Sequence, residues 1–169
     1  MKTVLLFRHA KSDWEADYGT DHDRPLNKRG RRTAKLMGRF LAAAQELPDL
    51  VLCSSARRAQ DTLRLAVEAG DWRCRQQQTP ELYAASPKSA IQVLRMQDER
   101  IGRLMLVGHE PTWSTLAGEL IGAGQLRMPT AAIARIDVDA DRWSDVDAGR
   151  GELVWLVNPK LLERAGFQV

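Results

Sequence analysis

Residues 3–10 read Thr-Val-Leu-Leu-Phe-Arg-His-Ala, a short apolar run that ends on a guanidinium and an imidazole. The run is too short for a stable helix, and its lack of alternation predicts a strand buried on both faces. Residues 50–53 and 103–107 repeat the pattern, with Ser54-Ser55-Ala56-Arg57-Arg58 following the first and Gly108-His109 following the second. Each run leads into a helical pattern, so the chain has a strand, turn, helix rhythm.

The intervening segments supply the helices. Residues 28–46 put Leu36, Met37, Phe40, Leu41 and Ala44 on one face and stop near Pro48; residues 55–69 turn Ala59, Thr62, Leu63, Ala66 and Val67 inward at helical spacing. Ser86-Pro87 predicts an N-cap and a first-turn proline for a helix that buries Ile91 and Leu94. Pro111 opens a fourth helix, with Trp113, Leu116, Ala117, Leu120 and Ile121 inside and Gly122 or Gly124 at its end. Residues 131–137 and 152–158 predict two strands joined by a long Asp- and Gly-rich hairpin connection. The expected fold is a three-layer α/β/α sandwich around a mainly parallel sheet, one domain over residues 1–169. Right-handed crossovers align the strand C-terminal ends along one edge, where open α/β sheets bind ligands. Arg8-His9, Ser54 to Arg58 and Gly108-His109 converge there.

With 44% hydrophobic and 28% charged residues the composition is that of an ordinary folded chain, and a net charge of +3 suits an acidic or phosphorylated partner. Arg8 interrupts the N-terminal apolar run before it reaches the length of an export signal, and no run approaches the ~20 apolar residues that cross a bilayer. These features predict a cytoplasmic protein with no membrane contact. Cys53 and Cys74 lack the spacing of a zinc site or redox pair. Asp137, Asp139 and Asp141 fail as a calcium loop, because Arg142 and Ala148 stand where a glycine and a closing acid are required. His22, between Asp21 and Asp23, reads as part of a solvated loop rather than a metal ligand. Neither a metal nor a cofactor is expected.

Two arginines and two histidines gathered at one sheet edge repel each other unless an anion lies among them. Phosphate fits, because a planar guanidinium makes paired charge-assisted bonds to phosphoryl oxygens. Arg58, near a helix start, adds the positive end of a helix dipole. A neutral imidazole can also attack phosphorus, and His9 follows directly on a strand, where its backbone is held for in-line attack. Surrounding positive charge is expected to lower its pKa and keep the attacking nitrogen free of a proton. His109 is then placed to donate to the transferring oxygens.

The ordered set Phe7-Arg8-His9-Ala10, Arg24-Pro25-Leu26 with Gly30, Ser54 to Ala59 with Thr62, Glu81-Leu82, Val107-Gly108-His109-Glu110-Pro111 and Met128 to Ala132 resembles the histidine phosphatase superfamily, with its phosphoglycerate-mutase-like fold. Short length, the Arg-Pro-Leu segment and the Gly-His-Glu-Pro run resemble its small bacterial protein phosphohistidine phosphatases of the SixA type. The resemblance implies that His9 is a transiently phosphorylated nucleophile, that Arg8, Arg58 and His109 form the phosphate pocket, that Arg24 is an auxiliary phosphate contact, and that no metal takes part. It makes Glu81 the candidate acid for the leaving group. It further implies a phosphorylated protein substrate, such as a histidine-containing phosphotransfer domain, with inorganic phosphate as product. A small-molecule or phosphoserine monoesterase is the alternative within the same family.

Four residues separate Cys53 from Arg58, one short of a cysteine-dependent phosphatase loop, and no GxxxxGK[ST] element occurs. Lys28, Arg31, Arg32, Lys35 and Arg39 share a helical face that could meet an acidic partner, yet it lacks the interleaved aromatics of single-strand nucleic-acid binding, and no nucleic-acid partner is expected. A non-catalytic phosphate sensor would keep the pocket without turnover.

Overall fold

A computed structural model describes residues 1–122 and 124–167. Its centre is a six-stranded sheet made of β1 (Lys2–Arg8), β2 (Leu50–Ser54), β3 (Arg75–Thr79), β4 (Arg103–Gly108), β5 (Ile133–Val138) and β6 (Gly151–Val157), in the order β3-β2-β4-β1-β5-β6. Pairings from β3 through β1 are parallel, and β5 and β6 extend the sheet antiparallel. The register of Phe7 opposite Val107 and of Cys53 opposite Val107 sets the ends of β1, β4 and β2 level.

The strand period of two sorts the apolar runs onto two faces. Val4, Leu6, Leu52, Leu104 and Leu106 pack on one side with α3 (Pro87–Arg95) and α4 (Thr112–Ile121), through Ile91, Leu94, Trp113 and Leu116. Leu5, Phe7, Val51, Met105 and Val107 pack on the other with α1 (Lys28–Ala43) and α2 (Arg57–Gly70), through Met37, Leu41, Leu63 and Ala66. These are the three layers expected from the sequence. Full burial of side chains such as Leu5, Leu6 and Phe7 contributes about 1.5–3 kcal/mol each, which anchors the central strand.

The helix signals also behave as read. The Ser86 side chain caps α3 by accepting from Ser89 N, and Gly122 ends α4 in the left-handed region at φ 72°. Several boundaries differ. Helix α1 stops at Ala43, so Ala44 lies exposed instead of on the inner face, and the chain reverses through Gln45 at φ 57°. Strand β3 and helix α5 (Pro159–Arg164) were not expected. The Asp- and Gly-rich connection between β5 and β6 is more than a solvated turn, because it inserts fully buried Trp143, whose Nε1 donates to Ile101 O at 2.8 Å. Among the described residues no helix is long and apolar enough to cross a membrane.

Candidate active site

Because β2, β4 and β1 are neighbours, their C-terminal ends deliver Ser54, His109 and His9 side by side. The His9 backbone is fixed at both groups: its N–H donates to Gly108 O at 2.9 Å, and its carbonyl accepts from Ala131 N at 3.1 Å. The next residue is held too, since Ala10 N donates to Thr62 Oγ1 at 2.9 Å while Thr62 Oγ1 donates to Arg58 O at 2.6 Å. Gly108 is required here, as a Cβ at that position would lie 2.6 Å from the Trp113 ring.

The His9 ring is buried and hydrogen-bonds through Nδ1 to Ala10 O at 2.7 Å. A carbonyl only accepts, so Nδ1 carries the proton and the lone pair is on Nε2. Burial pushes the His9 pKa down to about 3, with smaller contributions from His109, Arg58 and Arg8 against the Ala10 bond. The ring is therefore neutral at pH 7. This corrects the sequence reading in one respect: desolvation exceeds neighbouring positive charge as the cause.

His109 lies 5.1 Å from His9 between ring centroids. Its Nε2 is 2.8 Å from Ser54 Oγ, which itself accepts from Ala56 N at 3.4 Å. With the serine hydroxyl donating to Nε2, the His109 proton is on Nδ1, where it meets no described acceptor. Burial, followed by the Arg58 charge and opposed by Asp21, takes its pKa to about 4.

The arginines complete the pocket. Arg8 is anchored through Nη1 to Met128 O at 2.7 Å, and desolvation lowers its pKa against the opposing charge of Glu110. Arg58 occupies the first turn of α2, whose N-cap Ala56 has no side chain to spend on the free backbone N–H groups. Arg8 Nε, Arg58 Nε, Arg24 Nε and His109 Nδ1 are buried and bond to no described residue. Such a concentration of unsatisfied donors is costly unless an oxyanion accepts from them.

Arg24 and Glu81 differ from the other sequence candidates in their surroundings. Arg24 is buried, but its terminal nitrogens are committed to Ser12 Oγ (2.6 Å) and Asp21 Oδ1 (2.8 Å), and Trp14 stacks on it at 3.5 Å. Its Nε is left without a described partner. Glu81 is exposed and lines a cleft with Gln77, Gln78, Val93 and Met96, without a hydrogen bond or ion pair to Arg8, His9, Arg58 or His109.

Sequence reasoning placed Ser54 at the site without a role for its hydroxyl, and overlooked Asp21 and Tyr83 as site residues. The loop read as solvated carries Asp21 onto Arg24 and Arg58, and His22 Nε2 lies 2.9 Å from Ser55 Oγ. Tyr83 edges against both His22 and His109 and donates to Asp21 Oδ2 at 3.3 Å. A buried threonine on an apolar helix face was the available signal for Thr62; a 62-residue separation hid Tyr83 from Asp21.

Residues 4–86 match the profile of the histidine phosphatase superfamily (branch 1). An uncharacterized protein of Mycobacterium tuberculosis strain H37Rv is 38% identical over 164 residues, spanning 90% of this chain and 99% of that protein. The putative phosphohistidine phosphatase SixA from Agrobacterium tumefaciens superposes with TM-score 0.77 at 28% identity, covering 94% of this chain and 98% of that one. The chain belongs to the histidine phosphatase superfamily. A second structure, the protein histidine phosphatase SixA complexed with tungstate, shares the fold of this histidine phosphatase at TM-score 0.82 and 24% identity, over 95% of this chain and 99% of that one. The expected phosphoglycerate-mutase-like α/β fold is thereby shown, and the protein is an enzyme of the superfamily's phosphatase or mutase kind.

Proposed function

We propose that this histidine phosphatase removes the phosphoryl group from a protein phosphohistidine, such as that of a histidine-containing phosphotransfer domain, by way of a phosphorylated His9. The observation that carries the reading is the Nδ1 bond from His9 to Ala10 O, which leaves a neutral Nε2 lone pair beside the buried donors of Arg8, Arg58 and His109. In the first step Nε2 bonds to phosphorus as the substrate P–N bond breaks, and the departing imidazole takes the electron pair and gains a proton from solvent. In the second, water attacks phosphorus, the bond to His9 Nε2 breaks, and inorganic phosphate leaves with the water's oxygen. Arg8, Arg58 and His109 donate to the equatorial oxygens as charge spreads over them.

The choice of a nitrogen leaving group rests on the surrounding carboxylates. An alkoxide leaving group needs a strong acid, and an imidazole does not. Glu81 is exposed and makes no hydrogen bond or ion pair to Arg8, His9, Arg58 or His109, while the Asp21 carboxylate, despite partial desolvation, is held below its ordinary range by Arg24 and Arg58 and has no proton to give at pH 7.

The test compares a phosphohistidine protein, phosphoserine and a sugar phosphate as substrates of wild type, His9→Ala and Glu81→Gln. The proposal expects the phosphohistidine protein to have the highest kcat/KM, His9→Ala to be inactive and Glu81→Gln to resemble wild type. Faster turnover of the oxygen esters, with a large Glu81→Gln loss confined to them, would establish the monoesterase instead.

A further inference from the structure

The Asp21 carboxylate makes contacts that a phosphoryl group would also seek. Its Oδ2 accepts from Arg58 Nη2 at 3.1 Å and from the Tyr83 hydroxyl at 3.3 Å, its Oδ1 accepts from Arg24 Nη2 at 2.8 Å, and its main-chain carbonyl accepts from Arg58 Nη1 at 2.7 Å. Burial on the two sides of these pairs is unequal. The side chains of Arg24 and Arg58 are each 7% exposed, whereas that of Asp21 is 51% exposed. The carboxylate therefore reaches in from solvent across fixed cations, and it can return to water at little cost while the arginines cannot. Its field also extends to His109, whose protonated form it favours.

We propose that Asp21 is a resident anion of the phosphate pocket that sets the enzyme's affinity for oxyanions, competing with the phosphoryl group for Arg58 and promoting release of inorganic phosphate. The inference rests on the phosphatase reading of the site. A brace and a competitor make opposite demands. If Asp21 only positioned Arg24 and Arg58, removing its charge would loosen them and weaken phosphate binding. If it competes, neutralising it strengthens phosphate binding, because a dianion beside Arg58 no longer meets a negative neighbour. The remaining hydrogen bonds of Arg24 and Arg58, to Ser12 Oγ and to the Asp21 carbonyl, do not depend on that charge.

The experiment is a calorimetric titration of inorganic phosphate into wild type, Asp21→Asn and Asp21→Glu, with product inhibition by phosphate measured in parallel. Asparagine retains the size and one accepting oxygen, while glutamate retains the charge. The proposal expects the phosphate Kd and inhibition constant to fall on the order of tenfold in Asp21→Asn at low salt, with the gap narrowing as salt rises. Asp21→Glu is expected to bind phosphate more weakly than Asp21→Asn. Phosphate binding that is unchanged or weaker in Asp21→Asn, with wild type still binding, overturns the competitor role alone. Phosphate that binds none of the three proteins overturns the phosphatase reading beneath it.

Discussion

Acidification from pH 7 to pH 5 is expected to destabilise this protein more than its few histidines suggest. An unfolded histidine takes up a proton as pH falls through 6.5, whereas in the folded chain His9 waits until about 3 and His109 until about 4. Between those limits the unfolded state binds more protons, so stability is lost as pH falls. At pH 5 each ring has a deficit of about 1.5 pH units, or about 2 kcal/mol at 1.36 kcal/mol per unit, giving about 4 kcal/mol for the pair. Both rings are less than one-tenth exposed, so solvent screening removes little of this. The carboxylates of Asp21 and Asp137, already below their ordinary range, stay ionised over the same window. Urea unfolding at pH 7, 6 and 5 measures the loss directly, and His9→Gln or His109→Gln should each remove about half of it. A stability that is flat from pH 7 to 5, or a loss unaltered in both variants, would refute the neutral, desolvated histidine pair.

Two further expectations follow from the hydrogen bonds and the burial. Ser54→Ala removes the hydrogen-bond partner of His109 Nε2, so kcat should fall about tenfold with a smaller change in KM, as expected for a group that acts mainly in the transition state; an unchanged kcat would show that this bond does not position His109. Cys53 is buried and its thiol is pushed up to about 12, so alkylating reagents at pH 8 should leave activity intact, and rapid inactivation traced to Cys53 would contradict the assignment.

The layers and the edge that carries the site were legible because three unbroken apolar runs can only be buried strands, and each ends on a chemically distinctive residue. Arg75–Thr79 was not, since Arg-Gln-Gln-Gln-Thr has neither apolar alternation nor β-branched bulk; it becomes a strand by parallel pairing to β2 along one side. Helix α5 is six residues long, too short to show a period, and is set by the Asn158 side chain accepting from Leu161 N. His9, His109, Arg8 and Arg58 could be placed together from topology alone. The orientation of each side chain could not, because His9 depends on Ala10 O, His109 on Ser54 Oγ and Arg58 on Asp21, pairings that spacing in the sequence does not reveal.

Direct capture of the covalent enzyme bears hardest on the account. Protein quenched into alkali during turnover of a phosphorylated substrate, then digested and analysed by mass spectrometry, should carry an acid-labile phosphoryl group on Nε2 of His9, and His9→Ala should carry none. A label on any other residue, or turnover that survives removal of the His9 ring, would contradict it.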